Sequence, residues 1–211
     1  MVTSLIQSFP TVILAHGDFP VHSAAVWALR SAKTVVCCDG AAETLLKMGI
    51  EPTYIVGDLD STSPEVQARF ADRLHHITEQ ESNDLTKAVR FCKSRGHDRI
   101  TILGATGKRE DHTLGNIALL ADYAGEAQVQ MITNYGVMNA IEQSTTFESV
   151  AGQQVSLFRI SPHICVTLSG LRYPLHSDPL TKLWLGTLNE ALGSEFTVKF
   201  DEGKMVVFRA F

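Results

Sequence analysis

Tyr54-Ile55-Val56-Gly57-Asp58-Leu59-Asp60-Ser61-Thr62 is the stretch on which the reading of this chain turns. The apolar run 54–56 predicts a buried strand, and Gly57 releases it. Two carboxylates follow at i and i+2, a spacing that in extended chain aims both side chains at one face. Two acids held side by side repel unless a cation joins them. Mg²⁺ is a hard ion that takes carboxylate oxygens together with substrate phosphates. A plain polar turn after a strand is the alternative, because Asp and Gly both favour turns.

Upstream, the β-branched run at residues 11–15 predicts a strand, followed by the turn His16-Gly17-Asp18. Ala24, Ala25, Ala28 and Leu29 fall at helical spacing, which predicts a helix over 21–32. Residues 34–38 predict a second strand, closed by Asp39-Gly40, and residues 41–48 a second helix ended by Gly49. Strand, helix, strand, helix, strand predicts a parallel α/β sheet. Such sheets collect ligands at the carboxyl ends of their strands. His16-Gly17, Asp39-Gly40 and Asp58/Asp60 all sit at predicted strand ends.

Downstream, Ser63-Pro64-Glu65 has the make-up of a helix start. A strand is expected at 75–78, then Glu79-Gln80-Glu81-Ser82-Asn83-Asp84, then a helix over 85–95. The acidic cluster reads either as helix capping or as part of the same acidic sheet edge. A strand at 99–103 leads into Gly104-Ala105-Thr106-Gly107-Lys108-Arg109-Glu110-Asp111-His112 and a helix over 114–123. Two glycines and two cations before a helix N-terminus suit a phosphate. The spacing is neither a Walker A loop nor the dinucleotide G-x-G-x-x-G; a solvated surface loop is the alternative.

From about Met138 helical periodicity gives way to short runs rich in Val, Phe, Leu and Thr at 145–150, 155–160, 165–168, 195–200 and 204–208. That pattern predicts an antiparallel β-sandwich or barrel. The expected architecture is therefore α/β over residues 1–140, followed by a β-sandwich over residues 141–211.

With 211 residues and 45% hydrophobic content the chain can bury a sizeable core. A net charge of −5 argues against a nucleic-acid binder that lives on phosphate neutralisation. No apolar run reaches membrane-span length and no signal-peptide pattern opens the chain, so a cytoplasmic protein is expected. Cys37, Cys38, Cys92 and Cys165 make no C-x-x-C pair and read as reduced core residues, with Cys37 and Cys38 on opposite faces of a strand.

Asp39-Gly40-Ala41, Gly57-Asp58-Leu59-Asp60-Ser61, Asn83-Asp84-Leu85-Thr86-Lys87 and Gly104-x-x-Gly107-x-Arg109-x-Asp111-His112 occur in that order. Together with the β-rich tail they resemble the thiamine pyrophosphokinase family over nearly the whole chain. The resemblance implies an α/β ATP-binding domain, a C-terminal β-sandwich and a homodimer with shared active sites. It implies pyrophosphoryl transfer from ATP to the hydroxyl of thiamine, giving thiamine diphosphate and AMP.

By the same resemblance Asp58, Asp60 and Asp84 hold Mg²⁺, with Glu81 standing where the family has an aspartate and Asn83 where it has a threonine. Arg109 and Asp111 match an Arg-x-Asp pair for phosphate contact and for substrate or metal. Asp39 and Gly40 match a nucleotide-contacting Asp-Gly; Gly17, Gly104, Gly107, Lys108 and Lys87 complete the expected ATP site. Asp84 or Asp111 is the candidate proton acceptor. In the tail, Gly170-Leu171-Arg172-Tyr173 resembles a stretch whose aromatic stacks on thiamine, so Tyr173, Thr187 and Asn189 are the expected acceptor site. Leu188 replaces an expected serine, and Trp184 reads as a core residue.

Two other readings stand beside this one. Asp58-Leu59-Asp60-Ser61-Thr62 fits the D-x-D-x-T nucleophile motif of haloacid-dehalogenase-type phosphatases, although here it closes a third strand instead of a first. A non-catalytic nucleotide or thiamine sensor on the same fold would account for Leu188 and Glu81.

Overall fold

β-Branched runs become strands and runs with apolar residues at three- and four-residue spacing become helices, in regular alternation through residue 124. The computed structural model describes residues 6–211. It runs β1 (Thr11–Leu14), α1 (Ser23–Ser31), β2 (Thr34–Cys38), α2 (Ala41–Lys47), β3 (Tyr54–Gly57), α3 (Pro64–Arg69), β4 (Leu74–His76), α4 (Asp84–Ser94), β5 (Arg99–Leu103) and α5 (Glu110–Ala124). Then come β6 (Gln128–Ile132), β7 (Gly136–Ile141), β8 (Thr145–Glu148), β9 (Gln154–Arg159), β10 (Cys165–Ser169), β11 (Asp178–Pro179), β12 (Asn189–Glu190), β13 (Glu195–Lys199) and β14 (Met205–Ala210). The first five residues of the half expected over 1–140, and the chain opening read for a signal pattern, lie outside the described residues.

A ten-stranded sheet has the order β12-β9-β14-β7-β6-β5-β1-β2-β3-β4. Strands β1 to β6 pair in parallel; β7, β14, β9 and β12 continue the same sheet antiparallel. A second sheet, β11-β10-β13-β8, lies over that antiparallel end. Phe147, Val166, Leu168, Phe196 and Val198 from the second sheet share a core with Val155, Leu157, Met205 and Val207 from the first. This is the expected β-sandwich, with one layer made from the extension of the α/β sheet. The strand pair β6–β7 was not legible in the sequence, because its apolar run is interrupted by Gln128 and Gln130. Gln130 is buried and spends its amide on Thr101 and on the backbone of Gln7, so a polar residue sits inside a strand core.

Cys37 and Cys38 do face opposite sides of β2 and pack into separate cores. Cys92 is buried, but Cys165 is exposed at the start of β10, which corrects the expectation of four core cysteines. Trp184 is also not a core residue: it is 62% exposed in a short 3₁₀ turn, Leu183–Gly186, at the sheet edge. Helix α5 begins at Glu110, four residues earlier than expected, because the polar first turn carries no apolar periodicity. Among the described residues no helix is long and apolar enough to cross a membrane.

Candidate active site

The order of the parallel strands reverses at β1, which is flanked by β2 on one side and β5 on the other. Loops leaving the carboxyl ends of these strands form a crevice, the usual ligand position in such sheets. The β1 and β5 loops are bonded edge to edge: Ala15 N–H donates to Leu103 O, Gly17 N–H to Gly104 O at 2.6 Å and Asp18 N–H to Thr106 O at 2.8 Å. A Cβ at Gly17 would lie 2.4 Å from both Gly104 O and Thr106 O, so only glycine lets the two loops meet. At Gly40 a Cβ would lie 2.8 Å from the His16 ring and 2.9 Å from Ser61 O, so three loops converge there.

On the other side of the crevice, Asp39, Asp58 and Asp60 offer carboxylate oxygens that all lie within 4.8 Å of one another. Asp58 and Asp60 do not reach this position along an extended chain. Leu59 between them has φ 65°, so the segment turns as it leaves β3. Asp39 directly follows β2 and is buried; its Oδ1 accepts from the Thr62 hydroxyl at 2.5 Å and its Oδ2 from Ser61 N–H at 3.0 Å. Burial pushes the Asp39 carboxyl up from its usual range, against the pull of those two bonds. Asp58 accepts from the Gln80 amide at 3.3 Å, and that bond, with Lys87 adding to it, holds Asp58 below the usual carboxylate range.

Asp84 opens α4, whose N-cap is Asn83: the Asn83 side chain accepts from Thr86 N–H at 2.9 Å. The capping reading of this segment therefore holds for Asn83, while Asp84 turns toward the crevice beside Lys87, at 3.3 Å. The Asn83 amide also donates to Asn116 at 3.1 Å, and the buried Asn116 amide donates to Ala105 O at 2.8 Å. That chain of bonds straps the start of α4 to the glycine loop 104–107. Glu81 is exposed and stands outside the group formed by Asp39, Asp58 and Asp60.

The glycine loop leads into α5 with Gly104, Gly107 and Lys108 at φ 65°, 80° and 58°. Lys108 donates to His16 O at 2.8 Å. Arg109, the N-cap residue of α5, makes a two-armed pair with Asp111 at 3.1 and 2.5 Å. The guanidinium holds the Asp111 carboxyl down to about 2. The cleft between these loops has a volume of about 340 Å³ and is lined by His16, Gly17, Ser61, Asp84, Lys108 and Arg109, among others. His16 has its pKa lowered by burial and by Lys108, and faces this cleft.

The expected acceptor residues lie elsewhere. Asn189 is on β12, seven strand steps from β2 across the sheet, roughly 30 Å at the usual strand spacing. The Asn189 amide is committed to its neighbour: Oδ1 accepts from Tyr173 N–H at 3.0 Å and Nδ2 donates to Tyr173 O at 2.8 Å. Thr187 donates to Trp184 O at 2.7 Å. Tyr173 is 62% exposed, so it is not core packing, and Leu188 is 75% exposed with φ 59°. The sequence reading of Asp39 as a nucleotide contact missed its place among the acids. Only the adjacency of β2 and β3, a long-range pairing, puts it there.

Residues 26–132 match the family model described as thiamin pyrophosphokinase, catalytic domain, and residues 136–208 the model described as thiamin pyrophosphokinase, substrate-binding domain. A thiamine pyrophosphokinase of Bacillus subtilis is 32% identical over 186 residues, covering 82% of this chain and 85% of that protein. The crystal structure of the Bacillus subtilis enzyme superposes with a TM-score of 0.80 at 24% identity, over 95% of this chain and 98% of that one. Yeast thiamin pyrophosphokinase has the same fold, with a TM-score of 0.80 at 18% identity over 98% of this chain and 87% of that one. With both family models matched in order across residues 26–208, and this geometry at the strand ends, the chain belongs to the thiamine pyrophosphokinase family.

Proposed function

We propose that this protein transfers a pyrophosphoryl group from ATP to the hydroxyl of thiamine, giving thiamine diphosphate and AMP. One observation carries the reading. Three carboxylates from two neighbouring strand ends meet within 4.8 Å, beside a cationic glycine loop that opens a fifteen-residue helix.

Asp39, Asp58 and Asp60 present hard oxygen donors and would hold Mg²⁺. Bound there, Mg²⁺ would neutralise charge on the triphosphate. The N-terminus of α5 with Lys108 and Arg109 binds the phosphates, because free N–H groups and the helix dipole favour an anion. Gly17, Gly40, Gly104 and Gly107 let the loops that surround the nucleotide pack directly against one another. The thiamine oxygen attacks the β-phosphorus in line; its bond to phosphorus forms as the bond to the AMP oxygen breaks. Asp84 accepts the hydroxyl proton, since Asp111 is tied to Arg109 and is a weak base near pKa 2. Glu81, outside the acid group, would act on the metal through water.

Residues 1–140 form the nucleotide half and 141–211 the acceptor half. Tyr173 stacks on thiamine, with Thr187 beside it and Asn189 fixing the Tyr173 backbone. Because these residues lie across the sheet from the acids, a complete site takes Tyr173 from a second copy. The exposed apolar edge of Tyr173, Leu183, Trp184, Leu185, Leu188 and Leu192 supports a homodimer. The buried free thiols Cys37, Cys38 and Cys92 suit a reducing cytoplasm.

The test is a product assay with purified protein, thiamine, ATP and Mg²⁺, beside an Asp58→Ala/Asp60→Ala variant. Equal amounts of thiamine diphosphate and AMP, lost in the variant, are expected. Thiamine monophosphate with ADP would overturn the reaction assigned, and a trapped phospho-enzyme would return the chain to aspartyl-phosphate chemistry.

A further inference from the structure

Lys87 lies on α4, one turn beyond Asp84, and its side chain is only 2% exposed. A lysine that deep is seldom found unless it is paired. Its Nζ is 3.3 Å from Asp84 Oδ1 and 3.8 Å from Asp58 Oδ2, while those carboxylates are 37% and 24% exposed. The ammonium thus reaches the acids from inside the protein, and the carboxylates are the part that water and ligands reach. A phosphate entering the cleft meets Lys108 and Arg109, both exposed, before it could reach Lys87.

Asp84 and Asp58 pair with this buried ammonium, and Asp58 in turn lies within 4.8 Å of Asp39 and Asp60. Four carboxylates thus gather at the ends of β2 and β3 and the start of α4, with Lys87 beside two of them. Like charges this close repel, and a fixed cation among them lowers both their repulsion and their pull on any second cation. We propose that Lys87 is the built-in counter-cation of the acid group. It is a positioning residue that holds Asp84 and Asp58 in place and limits how tightly the group binds a divalent cation, instead of a ligand to the ATP phosphates. The proposal rests on the reading that these acids take a divalent cation.

That role has a signature that neither a merely structural lysine nor a phosphate ligand shares. Removing the ammonium makes the acid group more negative, so it strengthens cation binding and weakens anion binding at the same time. A folding defect would weaken both. Loss of a direct phosphate ligand would cost far more in nucleotide binding than it returned in metal binding, whereas loss of a counter-cation shifts the two by similar factors.

The experiment measures Mn²⁺ binding to purified protein by the electron paramagnetic resonance of free Mn²⁺, and ADP binding by calorimetry in metal-free buffer. Wild-type protein is expected to bind Mn²⁺ and Asp58→Ala to lose it; if wild type binds none, the metal reading fails and the Lys87 proposal with it. With wild-type binding present, Lys87→Met is expected to bind Mn²⁺ about tenfold more tightly and ADP about tenfold more weakly, an ordinary size for coupling between neighbouring charged ligands. Lys87→Arg, which keeps the charge, is expected to restore both toward wild type. Unchanged or weakened Mn²⁺ binding in Lys87→Met overturns the proposal while leaving the metal reading intact. Should that variant not fold, the charge-balanced Asp84→Asn/Lys87→Met pair decides. Mn²⁺ affinity within about threefold of wild type supports a counter-charge role, since only a neutralised pair has been removed. A larger loss overturns it.

Discussion

The Thr62 hydroxyl donates to Asp39 Oδ1 at 2.5 Å, joining the turn after β3 to the end of β2. Both residues are buried, at 4% and 3% exposure. The bond pulls against burial, which favours the neutral form of this carboxylate, and so favours the ionised form a cation needs. Thr62→Val keeps the shape and deletes the donor. It is expected to cost about 1.5–3 kcal/mol of stability, the range for a hydrogen bond to a charged group. Urea melts measure that cost, and Mg²⁺ titration of activity should show a higher Mg²⁺ concentration at half-maximal rate. An unchanged melt would show that Asp39 does not depend on this donor.

Gly17 holds the β1 and β5 loops together. Gly17→Ala places a methyl 2.4 Å from two backbone carbonyl oxygens, which cannot rotate away as a side chain could. Overpacking of this kind costs about 1–3 kcal/mol. Because the displaced loop carries Lys108 and Arg109, KM for ATP should rise far more than KM for thiamine. Equal rises in both would place the damage outside the phosphate loop.

Asp111 should titrate near pH 2 in the nucleotide-free protein, and carbon-13 NMR of its carboxyl group measures this directly. The folded-state pKa lies below the ordinary carboxylate value, so the Arg109–Asp111 pairing is fully present above that value. It is lost only as pH falls toward about 2. Arg109→Ala should return Asp111 to the ordinary carboxylate range. A midpoint that stays low in the variant would assign the shift to His112 N–H, which also donates to Asp111 at 2.8 Å.

If Tyr173 serves the acids of a second copy, two defective variants should repair each other. Asp58→Ala and Tyr173→Ala are each expected to lose most activity. Mixed and allowed to exchange subunits, they should recover about a quarter of wild-type activity, since half the random dimers carry one intact site of two. No recovery, with exchange demonstrated by sedimentation of tagged subunits, would place Tyr173 and Asp58 in the same copy's site.

Much of the α/β half was legible because its signals are local. β2 and β5 begin and end where the apolar runs do, Gly49 follows α2 with φ 71°, and Asn83 caps α4 through its side chain. The β-rich tail was legible as strands but not as a layer of the larger sheet. Its partner choice depends on β14 entering between β7 and β9, which no local pattern encodes. Trp184 at an open edge also departed from the core position expected for it. Apolar side chains read as core unless something shows that a surface is waiting for them.

The sequence by itself determined the α/β alternation, the order of the strand-end motifs and the membership of the acids in one edge, since each follows from periodicity and turn chemistry within a few residues. Tertiary structure alone decided which acids meet. Asp39 joins Asp58 and Asp60 through the parallel pairing of β2 with β3, and the φ of Leu59 turns Asp60 back toward them. It also decided that Lys87 is buried beneath the acids and that Tyr173 lies a sheet's width away from them. Burial and strand order are properties of packing across distant parts of the chain, and they set the charge and reach of a side chain that its own neighbours in sequence leave open.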